Sequence, residues 1–393
     1  MTHHELARAR AELQQTGASW ALLTSPENVT YVSQYEVPVE FGPLAHLNYG
    51  PVLALIRVDE SVGETASLLV ANQHYAAAAR QQSRFDAVID FGLLEVFEPF
   101  AKQVGRDNFV AALRRAIQQS GMGKGKVKLA VEEKTLPLIV QRVISEELPN
   151  VKWVVAGSAL ARARRVKTER EIELLKQSAE VVNIAHKALL RLTRRAGLSE
   201  FELWSGITQA MHEHVGGKFY IAGELVCGPR NKVVAPGGPI DYVTQAGDMA
   251  ELDISPRING YWADMANTMV IGAEATAVQK KYARAARESF YAGVSKARPG
   301  NRACDVFEAA RTAYDKYSLK LGHYAGHGIG TTVNEAPWFV PSDETILQAG
   351  MVVCIETGAY SEEATGKCEK MLVIQPSGDP EIFPDFAWGT ATD

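Results

Sequence analysis

The sequence predicts a two-domain α+β protein, with an α/β unit over residues 1–160 and a strand-rich unit carrying helices over residues 161–393. Three observations carry this reading. The chain has 393 residues, enough for two domains at roughly 100–200 residues each. Its first part alternates short β-rich runs with helical ones. Past a long amphipathic helix the second part turns Gly-rich and strand-rich, and the polar residues able to do chemistry gather there.

Taken in order, Trp20 to Thr24, Val52 to Val58, Ala66 to Val70, Asp86 to Asp90 and Val127 to Val131 read as strands of one sheet. Between them Val96 to Gln119 and Leu136 to Leu148 have helical spacing, and Pro149-Asn150 closes the second. The acidic and histidine residues of this part are scattered singly, so no site is expected in it. The joint is a helix opened by a capping box, Thr168 with Glu171, whose apolar positions Ile172, Leu175, Ala179, Val182 and Leu189 recur towards Gly197. Beyond it, strands are expected over Phe219 to Val226, Met249 to Ile258 and Tyr261 to Ile271, and helices over Val278 to Tyr291 and Cys304 to Leu319.

Composition narrows the function classes. Hydrophobic residues at 46% and charged residues at 22% are ordinary globular usage and exclude a disordered or collagenous chain. Lys plus Arg is 41 against 46 Asp plus Glu, so with a formal charge of −5 there is no basic surplus for a phosphate backbone, and no nucleic-acid partner is expected. No run approaches the roughly 20 apolar residues of a membrane helix. The opening Met1-Thr2-His3-His4-Glu5 lacks a signal-peptide pattern, so a cytoplasmic protein with no membrane partner is expected. Cys227, Cys304, Cys354 and Cys368 are widely spaced with no CxxC pair, against a disulfide framework or a zinc knuckle.

Three segments carry candidate chemistry. In Glu251 to Asp264, Asn259-Gly260 is the favoured centre of a two-residue hairpin, which sets Asp253 opposite Ala266 and Asp264 two positions away on the same face. Diagonal neighbours of this kind lie roughly 7–8 Å apart, a span two carboxylates close by converging on metal ions about 3.5–4 Å apart. Asp253 is flanked by Leu252 and Ile254, a costly place for a carboxylate unless it is paired or ligating; the alternative is a solvated strand face. In His323-Tyr324-Ala325-Gly326-His327-Gly328-Ile329-Gly330 the glycines let backbone approach closely around His327. The G-x-G-x-G spacing does not fit a dinucleotide fingerprint. Glu356 and Glu369 each interrupt an apolar strand, Val352 to Gly358 and Gly366 to Ile374. Singly, each of these residues has a structural reading, as a hydrogen-bonded histidine or half of a salt bridge; together they suggest an oxygen-rich metal site with one imidazole, suited to Mn, Co, Fe or Zn.

At these residues the chain resembles the pita-bread superfamily, which includes aminopeptidase P, prolidase, methionine aminopeptidase and the metal-free creatinase. The pattern of an Asp, a second Asp eleven positions on, a histidine in a GHG-like turn and two glutamates maps onto Asp253, Asp264, His327, Glu356 and Glu369. The resemblance implies a creatinase-like α/β amino-terminal domain followed by a pita-bread catalytic domain. It implies two divalent ions, manganese or cobalt first and iron or zinc as alternatives, bridged by Asp264 and Glu369, with Asp253 on one ion and His327 and Glu356 on the other. It further implies a bridging water or hydroxide as nucleophile, Glu356 as proton acceptor, His323 as a second active-site imidazole, and a homodimer in which a loop of one chain closes the other chain's site. Tyr35 to Asn48, with Phe41 and His46, is the candidate loop; a loop packed on its own domain is the equal alternative.

Three departures bear on substrate. The loop Gly228 to Gly237 holds no histidine where family peptidases carry one, Asn334 stands where a second substrate-handling histidine is common, and Lys367 replaces an arginine. Asn334 and Lys367 are therefore the candidate substrate-binding residues. The leading expectation is a dinuclear metallohydrolase of a peptide or amide C–N bond, Xaa-Pro peptidase-like, acting on a dipeptide or small molecule. A family member acting on a small amide, amidine or ring amide, as creatinase or ectoine hydrolase does, or a metal-dependent lyase, is the first alternative. An inactive binding module is the second, and the intact ligand set weighs against it.

Overall fold

A computed structural model describes residues 4–39, 48–59, 66–93, 104–123, 125–233, 237–384 and 386–389. The chain divides into two compact units, Met1–Arg164 and Arg165–Asp393. The first is built on a six-stranded sheet of β1 (Trp20–Leu23), β2 (Leu53–Arg57), β3 (Ser67–Asn72), β4 (Ala87–Phe91), β5 (Lys128–Val131) and β6 (Lys152–Val155), in the order β4-β3-β2-β1-β5-β6. Its pairs β1–β2 and β2–β3 are antiparallel and the rest parallel. Alternation along β1 divides the packing: Ala21 and Leu23 join α1 (His4–Gln14) and α2 (Pro26–Ser33) through Leu13, Val29 and Val32. Trp20 and Leu22 face the other way, onto Phe109, Leu113, Val140 and Ile144.

After α3 (Gln73–Gln82), the helix expected over Val96 to Gln119 is α4 (Val104–Ser120), and residues 94–103 lie outside the described ones. The next, α5 (Leu138–Glu147), starts two residues later than expected because Pro137 takes its N-cap. The buried acid Glu132 accepts hydrogen bonds from the Thr24 and Ser25 N–H groups at 2.6 and 2.9 Å, fixing the start of α2. Of the candidate loop Tyr35 to Asn48, residues 40–47, Phe41 and His46 included, lie outside the described residues. The helix α6 (Gly157–Arg165) ends this part.

The second unit opens with α7 (Glu169–Leu192), whose Thr168–Glu171 capping box forms as expected. The helix stops at Leu192 rather than near Gly197, since Thr193 turns its hydroxyl back onto the Leu189 carbonyl. A second helix, α8 (Glu200–Val215), was not anticipated, although Ser199 with Glu202 is a further capping box and Gly216 closes it in a left-handed conformation. The strands are β7 (Tyr220–Cys227), β8 (Met249–Ile258), β9 (Tyr261–Trp262), β10 (Met265–Val270), β11 (Gly326–Gly328), β12 (Glu335–Trp338), β13 (Val352–Tyr360), β14 (Thr365–Val373) and β15 (Glu381–Phe383). They form a sheet in the order β12-β11-β13-β14-β10-β8-β7, with β15 on β14 and β9 on β8.

One face of this sheet is apolar. Leu225, Leu252, Ile254, Met265 and Met269 pack on Leu175, Val182, Leu189, Leu203 and Ile207 of α7 and α8. Val353, Ile355 and Leu372 continue that face onto Ala286, Phe290, Val306 and Ala310, from α9 (Ala277–Lys296) and α10 (Ala303–Ala313). Burying each large aliphatic or aromatic side chain of this kind is worth about 1.5–3 kcal/mol. Close approach is built in at Gly366, where a Cβ would stand 2.6 Å from the Tyr282 carbonyl oxygen of α9. Helices thus cover one face, while the other carries polar side chains beside the apolar Val352, Met371 and Val373.

Candidate metal centre

Antiparallel register assembles the polar face. Asp253 on β8 faces Glu224 on β7 and Ala266 on β10, as the hairpin reading required. Asn267 faces Cys368, which sets Ala266 beside Glu369, and Glu369 faces Glu356 on β13. Because side chains alternate along each strand, this single row puts Glu224, Asp253, Glu369 and Glu356 on one face. The next row on that face holds Glu251, Thr268, Lys367 and Gly358. β11 brings in His327 opposite Cys354. Its flanking glycines are needed sterically, since a Cβ at Gly326 would stand 2.1 Å from the Cys354 carbonyl oxygen and one at Gly328 2.6 Å from that of Ala336.

Asp264 lies between β9 and β10, within the strand expected over Tyr261 to Ile271. Ala263 N–H still donates to the Pro256 carbonyl in the hairpin's register, Trp262 N–H donates to the Gly330 carbonyl, and Asp264 keeps the place opposite Ser255. There its Oδ1 accepts from Ser255 Oγ at 2.8 Å.

The five predicted ligands converge. His327 Nδ1 lies 3.0 Å from the Gly328 carbonyl, which can only accept, so Nδ1 carries the proton and Nε2 presents a lone pair. That nitrogen sits 3.8 Å from Asp264 Oδ2, 3.7 Å from Glu356 Oε1 and 3.8 Å from Glu369 Oε1. Oxygens of Asp253, Asp264 and Glu369 lie within 4.8 Å of one another. Glu369 is 1% exposed and its Oε1 has no hydrogen-bond partner. A buried lone pair facing three carboxylates, one with an unpartnered oxygen, is unfavourable without a cation among them. The donor set therefore fits divalent metal ions.

The electrostatics say the same. Burial, reinforced by Asp253 and Glu356, pushes the Asp264 carboxyl well above the usual range, and burial with Asp264 and Glu356 does so for Glu369. Burial also opposes ionisation of Asp253, but the Lys367 ammonium overrides it and holds Asp253 below its ordinary value. Burial pushes both His327 and His323 down, keeping them neutral and His327 fit to ligate. Beside the row, burial raises Glu251 to about 7.

The His323 side chain is 8% exposed, with Nδ1 2.6 Å from the Tyr324 carbonyl and 3.9 Å from Glu356 Oε2, and its Nε2 facing the Tyr360 hydroxyl at 3.4 Å. Lys367 lies against Asp253 Oδ2 and 3.4 Å from Glu356 Oε2, so its head group is held by two predicted ligands. Asn334 is exposed, and its Nδ2 donates to the Tyr324 hydroxyl oxygen at 3.5 Å. Sequence reading passed over Ser255, Tyr324, Tyr360 and Cys354. The signal for Cys354 was present: it stands two positions before Glu356 on a strand and so shares its face.

The family comparisons agree with this geometry. Residues 173–376 match the model of metallopeptidase family M24, and residues 5–166 that of the creatinase/prolidase N-terminal domain. A methionine aminopeptidase of Helicobacter pylori is 31% identical over 56% of this chain and 86% of that protein. The uncharacterized peptidase YqhT of Bacillus subtilis is 24% identical over 66% of this chain and 73% of its own. Among solved structures, the prolidase from Pyrococcus horikoshii OT3 shares the fold at a TM-score of 0.77 and 22% identity, over 98% of this chain and 99% of its own. The Xaa-Pro dipeptidase from Bacillus anthracis does so at 0.77 and 20%, over 98% of each chain. With the metal-ligand pattern assembled in one buried site, the chain belongs to metallopeptidase family M24 and is a metallohydrolase.

Proposed function

We propose that this protein hydrolyses a peptide or amide C–N bond using two divalent ions held by Asp253, Asp264, His327, Glu356 and Glu369, with manganese, cobalt, iron and zinc as the ions to test. The observation that supports it most is the His327 Nε2 lone pair turned onto Asp264, Glu356 and Glu369, with Glu369 Oε1 unpartnered. When bound, such ions supply Lewis acidity and bring the pKa of water from 15.7 down to about 7. The chain's own groups do the rest. Glu356 stands beside His327, His323 and Lys367 and serves as proton acceptor. Lys367 fixes the orientation of Asp253. His323, anchored through Nδ1 to the Tyr324 carbonyl, accepts from Tyr360 at Nε2 and is the second proton-handling group.

A prolidase-like dipeptide is the first substrate class to try, from the solved relatives. One observation favours a small amide, amidine or ring amide as the second. Asn334, exposed and bonded to Tyr324, offers a neutral amide, and no histidine occurs between His214 and His323. A neutral donor makes a weaker bond to a substrate carboxylate than a charged one does. The test is a screen of Ala-Pro and Gly-Pro against cyclic amides and creatine-like amidines, with each metal supplied. Weak Xaa-Pro cleavage alongside better turnover of a small amide is expected. Xaa-Pro turnover at a kcat/KM of about 10⁴ M⁻¹s⁻¹ or more would restore the plain peptidase reading, and no hydrolysis of any class would remove both. We also read the working form as a homodimer, a reading that rests on the family resemblance.

A further inference from the structure

Cys354 belongs to the apolar core with Val352 and Met371, and it also borders the candidate ligands. It faces His327 across β11 and β13, and shares its side of β13 with Glu356. Its Sγ, a ring nitrogen of His327 and a carboxylate oxygen of Glu369 all lie within 4.8 Å of one another. These residues are 0%, 1% and 1% exposed. Its own hydrogen bond is weak, from Sγ to the Asp264 carbonyl at 3.5 Å. Glu369 Oε1, buried and unpartnered, gives an independent reason to place a ligand here. Metal–sulfur bonds near 2.3 Å and metal–nitrogen and metal–oxygen bonds of about 2.0–2.2 Å set neighbouring tetrahedral donors roughly 3.5 Å apart. From separations of up to 4.8 Å, at most about 1.3 Å has to close to reach that spacing.

Building on the metal-centre reading above, we propose that the Cys354 thiolate is a further ligand to the ion held by His327 and Glu369, and that it biases this position towards thiophilic ions. As the metal–sulfur bond forms, the S–H proton leaves to buffer, so binding releases one proton that an oxygen donor in its place would not. A soft sulfur among hard carboxylates favours zinc, cobalt and iron over manganese. Selectivity would then be set by a residue outside the five-ligand pattern.

The experiment uses the full chain, wild type and Cys354→Ser, each stripped of metal and reloaded with Co(II) without oxygen. Metal per chain and the near-ultraviolet absorption are then measured. The wild type is expected to show a sulfur-to-cobalt charge-transfer band that Cys354→Ser lacks, while both proteins hold cobalt. Its preference for zinc over manganese in competition should fall on the order of tenfold in the variant. Cobalt bound by the wild type with no such band overturns the proposal while leaving the metal centre standing, and needs no variant to fold. A band that persists in Cys354→Ser overturns it equally. Failure of the wild type to bind cobalt, zinc or manganese would overturn the metal-centre reading itself, and the proposal with it.

Discussion

Glu356 shows how one side chain is tuned by its neighbours. Its Oε1 lies 3.7 Å from His327 Nε2, and its Oε2 3.4 Å from the Lys367 ammonium and 3.9 Å from His323 Nδ1. A carboxylate so placed can ligate and exchange a proton, whereas an amide of the same shape can do only the first, and weakly. Glu356→Gln should lower turnover by roughly 10²–10⁴-fold, the usual worth of a positioned acid or base, while the fold persists by circular dichroism. Wild-type turnover in that variant would take Glu356 out of the role. His323 and Lys367 have their own partners fixed, by the Tyr324 carbonyl and by Asp253, so both act from set positions.

Among the elements, the β8–β10 hairpin was legible from sequence because its information is local. Asn259 and Gly260 adopt φ of 50° and 83°, the twist a two-residue turn requires, and the register that sets Asp253 against Ala266 follows. The bond from Trp262 N–H to the Gly330 carbonyl was not legible, because Gly330 is distant in sequence. Cys354 shares a face with Glu356, which is local information, but its closeness to His327 depends on another strand. The helix α8, not expected from the sequence, nevertheless carries a local signal in its Ser199–Glu202 capping box. On α7, His186 gives an element-scale prediction. It is 2% exposed, stacks on Phe386 at 4.2 Å and has Nε2 3.3 Å from the Met265 carbonyl, while Nδ1 has no partner. Burial lowers its pKa from 6.5 to about 4. The unfolded chain therefore binds a proton that the folded chain refuses, and stability is lost as pH falls from about 6.5 towards 4. At 1.36 kcal/mol per unit the full loss is on the order of 3 kcal/mol. In urea titrations of metal-free protein, wild type should lose about 2–3 kcal/mol more than His186→Phe between about pH 7.5 and 4.5. Equal losses would contradict the assignment.

For the whole molecule, the five proposed ligands all lie in Arg165–Asp393, while Glu132 in Met1–Arg164 binds the start of its own α2. Length, composition and strand–helix alternation made the two-part organisation legible, and the ligand pattern carried the family; Asn334 and Lys367 left substrate choice open because their roles depend on a bound molecule. The homodimer reading predicts that sedimentation at micromolar concentration gives twice the chain mass and that activity falls with dissociation; a fully active monomer would sink it. The central claim, that five side chains hold two ions, is tested most directly by elemental analysis of the purified chain reconstituted with Mn, Co, Fe or Zn, beside Asp264→Asn and Glu369→Gln. Two ions per wild-type chain and the loss of both in either variant is the predicted result, since each of these residues would bridge the pair. Fewer than one ion per wild-type chain with every metal would contradict it.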